Sequence, residues 1–136
     1  MKFVLQIKPE DCSLLGKEVL KHMAQHQKSM SELARQAGIS QPGLRTACLK
    51  GTTPTESTLR KLANVLDRRP LELYQLVYED KIRNAFEPDA MAFVLQLFEN
   101  IYKALCNAVE ELPEHKKPSE YKLLNLALKN TKSLEN

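Results

Sequence analysis

Residues 29–51 read SMSELARQAGISQPGLRTACLKG, and two helix starts are written into them. Ser29 followed three residues later by Glu32 makes a capping box. The hydroxyl accepts from the third helical amide, and the carboxylate reaches back to the serine amide. This pattern predicts a helix from Ser29 through Ala37. Gly38 follows, the residue type that most easily takes the left-handed conformation ending a helix. Ser40 then caps another helix. Pro42 falls in its first turn, where an N–H would have had no intrahelical partner. Residues 40–50 therefore read as a short helix and not as a polar loop. Gly43 costs roughly 1 kcal/mol relative to alanine in such a helix. It is either tolerated there or required by a close approach.

The pattern extends to both sides. Upstream, Leu14, Leu15, Val19, Leu20 and Met23 recur at helical spacing between Ser13 and Gln27. Residues 3–7, FVLQI, are β-prone and read as one short strand, which needs a partner such as the same segment of a second copy. Downstream, Gly51 to Pro54 break the helix at 40–50. Thr55 caps ESTLRKLANVL, with Leu59, Leu62, Ala63 and Leu66 on one face. Pro70 opens a further helix to about Ala85. Pro88 starts a long one ending near Leu112, roughly 37 Å at about 1.5 Å per residue. PEHKKPS, 113–119, is a polar linker. Ser119 caps a last helix, EYKLLNLALKN, and TKSLEN is expected to fray.

Composition sets the class. The chain has 136 residues, 43% of them hydrophobic, enough for a buried core. With no Trp, four Tyr and four Phe, that core must rest mainly on aliphatic side chains. Cys12, Cys48 and Cys106 are too far apart in sequence for a zinc or redox motif, and read as thiols of a reducing cytoplasm. Neither a signal peptide nor a run approaching the ~18 apolar residues of a membrane span is expected. The net charge of +3 is uneven. Residues 1–86 carry 14 Lys/Arg against 9 Asp/Glu, and residues 87–136 carry 6 against 8. A basic first part suits a polyanionic partner.

Two short helices joined at a glycine, inside a basic segment, suggest a helix-turn-helix. Gln41 and Arg45 lie four apart on one side of the helix at 40–50, with Pro42 and Thr46 beside them. Glutamine pairs bidentately with adenine and arginine with guanine. Pro42 and the Thr46 methyl suit contact with a thymine methyl. ELARQAGIS, Leu44, PTESTLRKLANVLD and PLELYQL follow in order and at the right spacing. Through them, residues of about 13–76 resemble the phage-repressor type of helix-turn-helix domain, the Xre/Cro/lambda-repressor family. The resemblance implies an all-α fold with a five-helix DNA-binding domain over 1–86. It implies that Gln41, Pro42, Arg45 and Thr46 face bases, that Ser29 and Ser40 stand at helix starts against DNA, and that the loop holding Lys50 and Thr53 touches the backbone of double-stranded DNA. Met30 and Cys48 depart from the family's frequent glutamine and acidic residue.

Residues 87–136 lie outside the resemblance and read as a helical dimerisation or interaction region. Met91, Leu95, Phe98, Tyr102, Leu105 and Val109 recur at 3–4 spacing along the long helix. Phe93, Leu97, Ala104 and Ala108 widen the apolar surface to two faces. The expected protein is a dimeric, cytoplasmic repressor that binds an inverted-repeat operator. The alternative is an antitoxin that represses its own operon and neutralises a toxin, a protein partner held by residues 87–136. His22 and His26 are four apart, a spacing able to hold metal, yet no third ligand is evident. Neither a metal nor a cofactor is expected. No phosphate-binding glycine loop, carboxylate pair or nucleophile elbow points to an enzyme.

Overall fold

A computed structural model describes residues 7–135, and the strand expected at 3–7 falls, but for Ile7, outside them. Among the described residues seven α-helices run in order: α1 Leu14–His26, α2 Met30–Ala37, α3 Gln41–Cys48, α4 Glu56–Leu66, α5 Pro70–Ala85, α6 Met91–Val109 and α7 Glu120–Glu135. The chain is all-α. Among the described residues the one isolated β-bridge joins Cys12 to Leu49. No described helix is long and apolar enough to cross a membrane.

The chain divides into two compact units, one ending at Val77 and the other beginning at Tyr78, so that α5 contributes to both. In the first unit α1 packs on α3, and α2 packs on α3 and α4. Its core is mainly aliphatic, as the composition requires, with Tyr74 also fully buried. Leu15, Val19, Leu33, Leu44, Leu59, Leu62 and Leu73 are fully buried. Each comes from the apolar stripe of an amphipathic helix, and the polar residues between them face water.

Helix starts follow the local rules. Ser13, Ser29, Ser40 and Thr55 each accept a hydrogen bond from the amide three residues on. Ser119 does the same for Lys122, at 3.2 Å. Helix ends depart more from expectation. The helix over 40–50 closes at Cys48, because Leu49 leaves in extended conformation to pair with Cys12. The long helix expected from Pro88 to Leu112 is a 3-10 turn over Pro88–Ala90 followed by α6 to Val109. Its α-helical part is thus about 28 Å long. The last helix runs past Asn130, where the sequence pattern ends, to Glu135. Thr131 is buried there, and its hydroxyl donates to the Ala127 carbonyl at 2.7 Å.

In the second unit α6 and α7 pack together around an aromatic cluster. Tyr78 lies 6.3 Å from Phe98 and 5.6 Å from Tyr121, between ring centroids. Its hydroxyl donates to Asn125 Oδ1.

Candidate nucleic-acid interface

The α2–turn–α3 segment is built from complementary caps. Ser29 Oγ accepts from the Glu32 amide at 3.1 Å, and Glu32 Oε1 accepts from the Ser29 amide at 3.0 Å. The capping box inferred from the sequence is formed in full. The Ser29 amide first, and its hydroxyl second, hold the Glu32 carboxyl below the ordinary glutamate value. At the other end of α2, Gly38 takes φ +79°, and its N–H donates to Ala34 at 2.9 Å. That left-handed residue turns the chain directly into Ser40, which caps α3.

A β-carbon at 43 would lie 2.8 Å from Ser40 Oγ, the atom that accepts from the Gly43 amide at 3.0 Å. The same cap forms over Glu32 and Thr58, which carry side chains, so the cap does not require glycine here, and Gly43 is tolerated.

One side of α3 is anchored. Leu44, Ala47 and Cys48 are buried, and Cys48 has no exposed surface. Burial pushes the Cys48 thiol up to about 12, with Cys12 as a smaller contributor. The C-terminal carbonyl of α3, which helix geometry leaves without a partner, is held by α1. Cys48 O accepts from the Ser13 amide at 3.0 Å and from Ser13 Oγ at 3.3 Å. The Lys50 amide adds a bond to Asp11 O at 3.0 Å. Gly16 allows this approach, since a β-carbon there would lie 2.0 Å from Cys48 O. Gly16 went unremarked in the sequence. Its signal was a glycine inside an otherwise regular amphipathic helical stretch.

The other side of α3 faces solvent. Gln41, Pro42, Gly43 and Thr46 are exposed, as are Ser29, Ser40, Lys50 and Thr53. Arg45 differs from its neighbours. It is half-buried, and its Nε is shielded with no hydrogen-bond partner among the described residues. Gln41 and Arg45 therefore share a side of the helix but not the same freedom. Lys50 makes no ion pair among the described residues. Arg60, Arg68 and Arg69 are tied to Glu56 at 3.2 Å, Glu18 at 3.1 Å and Glu72 at 3.5 Å respectively.

The His22 and His26 rings lie tilted against each other with centroids 4.2 Å apart, and no three His, Cys, Asp or Glu side chains among the described residues are grouped to hold a metal ion. Along α6, Phe98 is buried against Tyr78, while Met91, Leu95, Tyr102, Leu105 and Val109 are half-buried. Phe93 is 72% exposed.

Residues 18–73, from within α1 to within α5, match the protein-family model described as Helix-turn-helix. No curated protein and no solved structure matches the chain.

Proposed function

Since residues 18–73 belong to the Xre and lambda-repressor-like helix-turn-helix family, a family of DNA-binding transcription regulators and not of enzymes, we propose that this protein is a dimeric transcriptional repressor. In this reading it binds an inverted-repeat operator with α3 in successive major grooves. The observation that carries the reading is the two-sidedness of α3. Leu44, Ala47 and Cys48 fix it to the bundle, and Gln41, Pro42 and Thr46 stand in solvent at its N-terminal end. Base edges in the major groove are reached by the first residues of such a helix.

Gln41 offers an amide fork to adenine, and Arg45 a guanidinium to guanine or to a phosphate. Ser29 and Ser40 bring helix starts, with their amides, to the DNA backbone. Lys50 and Thr53 approach the backbone from the loop after α3. The free cation of Lys50 makes binding fall with salt as counterions are released.

Dimerisation is assigned to α6. Val94 and Phe98 are its only buried side chains among the described residues. Met91, Leu95, Tyr102, Leu105 and Val109 leave a partly covered apolar strip, and Phe93 stands out in water. Such a surface marks a protein contact. A second copy gives two recognition helices for two half-sites. A small toxin bound there would make the chain an antitoxin that represses its own operon.

Selection from random DNA, with the mass of the complex measured alongside, tests both parts. The expected result is an inverted repeat bound by two chains. Recovery of no preferred sequence rejects sequence-specific regulation. A chain that does not self-associate and instead takes up a small basic toxin favours the antitoxin reading. In the repressor reading, Arg45→Ala weakens operator binding by about 1–3 kcal/mol and relaxes preference at one position.

A further inference from the structure

A cavity of about 540 Å³ opens between α1 and the junction of α4 with α5. That is within the roughly 300–1,000 Å³ of small-molecule sites. No described residue of α2 or α3 lines it, so it is separate from the face read as the DNA contact. Its floor is apolar. Leu66 and Leu73 are buried members of the core, and Val65 and Leu76 beside them are half-buried.

The rim is charged, and unevenly. Lys21, Lys28 and Arg68 stand there with Glu18 and Asp67, three cations to two carboxylates. Arg68 and Glu18 cancel each other, with Nη2 3.1 Å from Oε2. Lys28 Nζ donates to the Gln36 amide oxygen at 2.8 Å, a neutral partner that leaves its charge unbalanced. An ammonium also has two further donors to offer. Lys21 makes no ion pair among the described residues. His22 adds an unused polar atom to the same wall. Its Nε2 is shielded from solvent and has no hydrogen-bond partner among the described residues. The exposed His26 ring leans on it, with centroids 4.2 Å apart. A polar atom left in that state is costly, and a ligand that pairs with it recovers the cost.

These features select among ligands. An inorganic anion would meet the lysines and leave the leucine floor wet. A neutral hydrocarbon would cover the floor and leave the lysines unanswered. A cation would meet Lys21 and Lys28 with like charge. A carboxylate carried on an apolar body satisfies both surfaces at once.

We propose that this cavity binds a small amphipathic carboxylate. Its apolar chain or ring lies on Val65, Leu66, Leu73 and Leu76. Its carboxylate is held by Lys21 and Lys28, and His22 Nε2 donates to it once the His26 ring turns aside. The proposal does not depend on what α3 binds.

Octanoate and phenylbutyrate are the probes, titrated into the full chain and followed by calorimetry and by amide chemical shifts. Saturable binding of one acid per chain is expected, with the shifts gathered on residues 18–28 and 65–76. Acetate lacks the apolar body and octylammonium reverses the charge, and each is expected to bind about tenfold more weakly or worse. Lys21→Gln and Lys28→Gln each lower affinity for the acids about fivefold, the effect of one half-exposed ion pair. Lys61→Gln, outside the cavity, leaves it unchanged. Circular dichroism checks that the variants fold. No binding of either acid up to about 5 mM overturns the proposal. So does equal binding of octylammonium, or affinity that both cavity lysine variants leave intact. Shifts that gather on α6 and vanish in Phe93→Asp also overturn it, because they place the acid on that exposed apolar surface.

Discussion

Gly16 and the carbonyl of Cys48 approach so closely that a β-carbon at residue 16 would lie 2.0 Å from the oxygen. The contact joins the first turn of α1 to the last residue of α3, and both partners at this point are backbone. Neither can swing aside as a side chain would. Gly16→Ala is therefore expected to force α1 and α3 apart, at a cost of about 3 kcal/mol, the upper end for overpacking. Urea unfolding followed by circular dichroism measures it. Stability within about 0.5 kcal/mol of the native protein would show that the helices yield freely here.

The capping box gives a pH-dependent prediction. The folded-state pKa of Glu32 is lowered, by the Ser29 amide first and then the Ser29 hydroxyl. A depressed carboxyl contributes stability that is present above its unfolded value and lost as pH falls through the folded one. Glu32→Gln keeps an acceptor oxygen and removes the charge. The stability gap between native protein and this variant is expected to be full at neutral pH and to close below pH 4.5, the ordinary value. A gap of constant size from pH 7 to pH 3 would mean that the carboxylate charge contributes nothing. Ser29→Ala, which removes the cap itself, costs about 1 kcal/mol at neutral pH.

The three thiols should separate by reactivity. Cys12 and Cys48 are buried; burial, and then Asp11, raises the Cys12 thiol, and burial pushes Cys48 up to about 12. Thiolate is the reacting species. Iodoacetamide at pH 8 is expected to alkylate half-buried Cys106 first and to spare the other two until denaturant is added. Peptide mass spectrometry reads the order. Early modification of Cys48 would contradict the anchored placement of α3.

Phe93 supplies a test of dimerisation that folding does not confound. At 72% exposure it supports no core, so Phe93→Asp should change stability by no more than about 0.5 kcal/mol. Sedimentation equilibrium is expected to show dimer dissociation at least tenfold easier, because a carboxylate would be taken out of water in the interface. Unchanged self-association would move the dimer contact away from α6.

Ser13, Ser29, Ser40 and Thr55 could be read as caps because capping is a transaction within four residues of the chain. Gly38 was legible for the same reason. So was the inward face of α3, since Leu44 and Ala47 fall where helical period puts them. Arg45 was less legible. Its spacing from Gln41 gives a shared side of the helix, yet the neighbours that shield its Nε come from the fold.

By itself, then, the sequence determined the helices, their starts and the tight turn between α2 and α3, which local hydrogen bonding and period decide. Only the tertiary structure decided that α3 ends at Cys48, that Gly16 must lack a side chain and that Phe98 joins Tyr78 in the interior. Each of these depends on what a distant segment brings to the same point in space. Close packing and the pairing of helix-end carbonyls are settled between elements, and no window along the chain contains both partners.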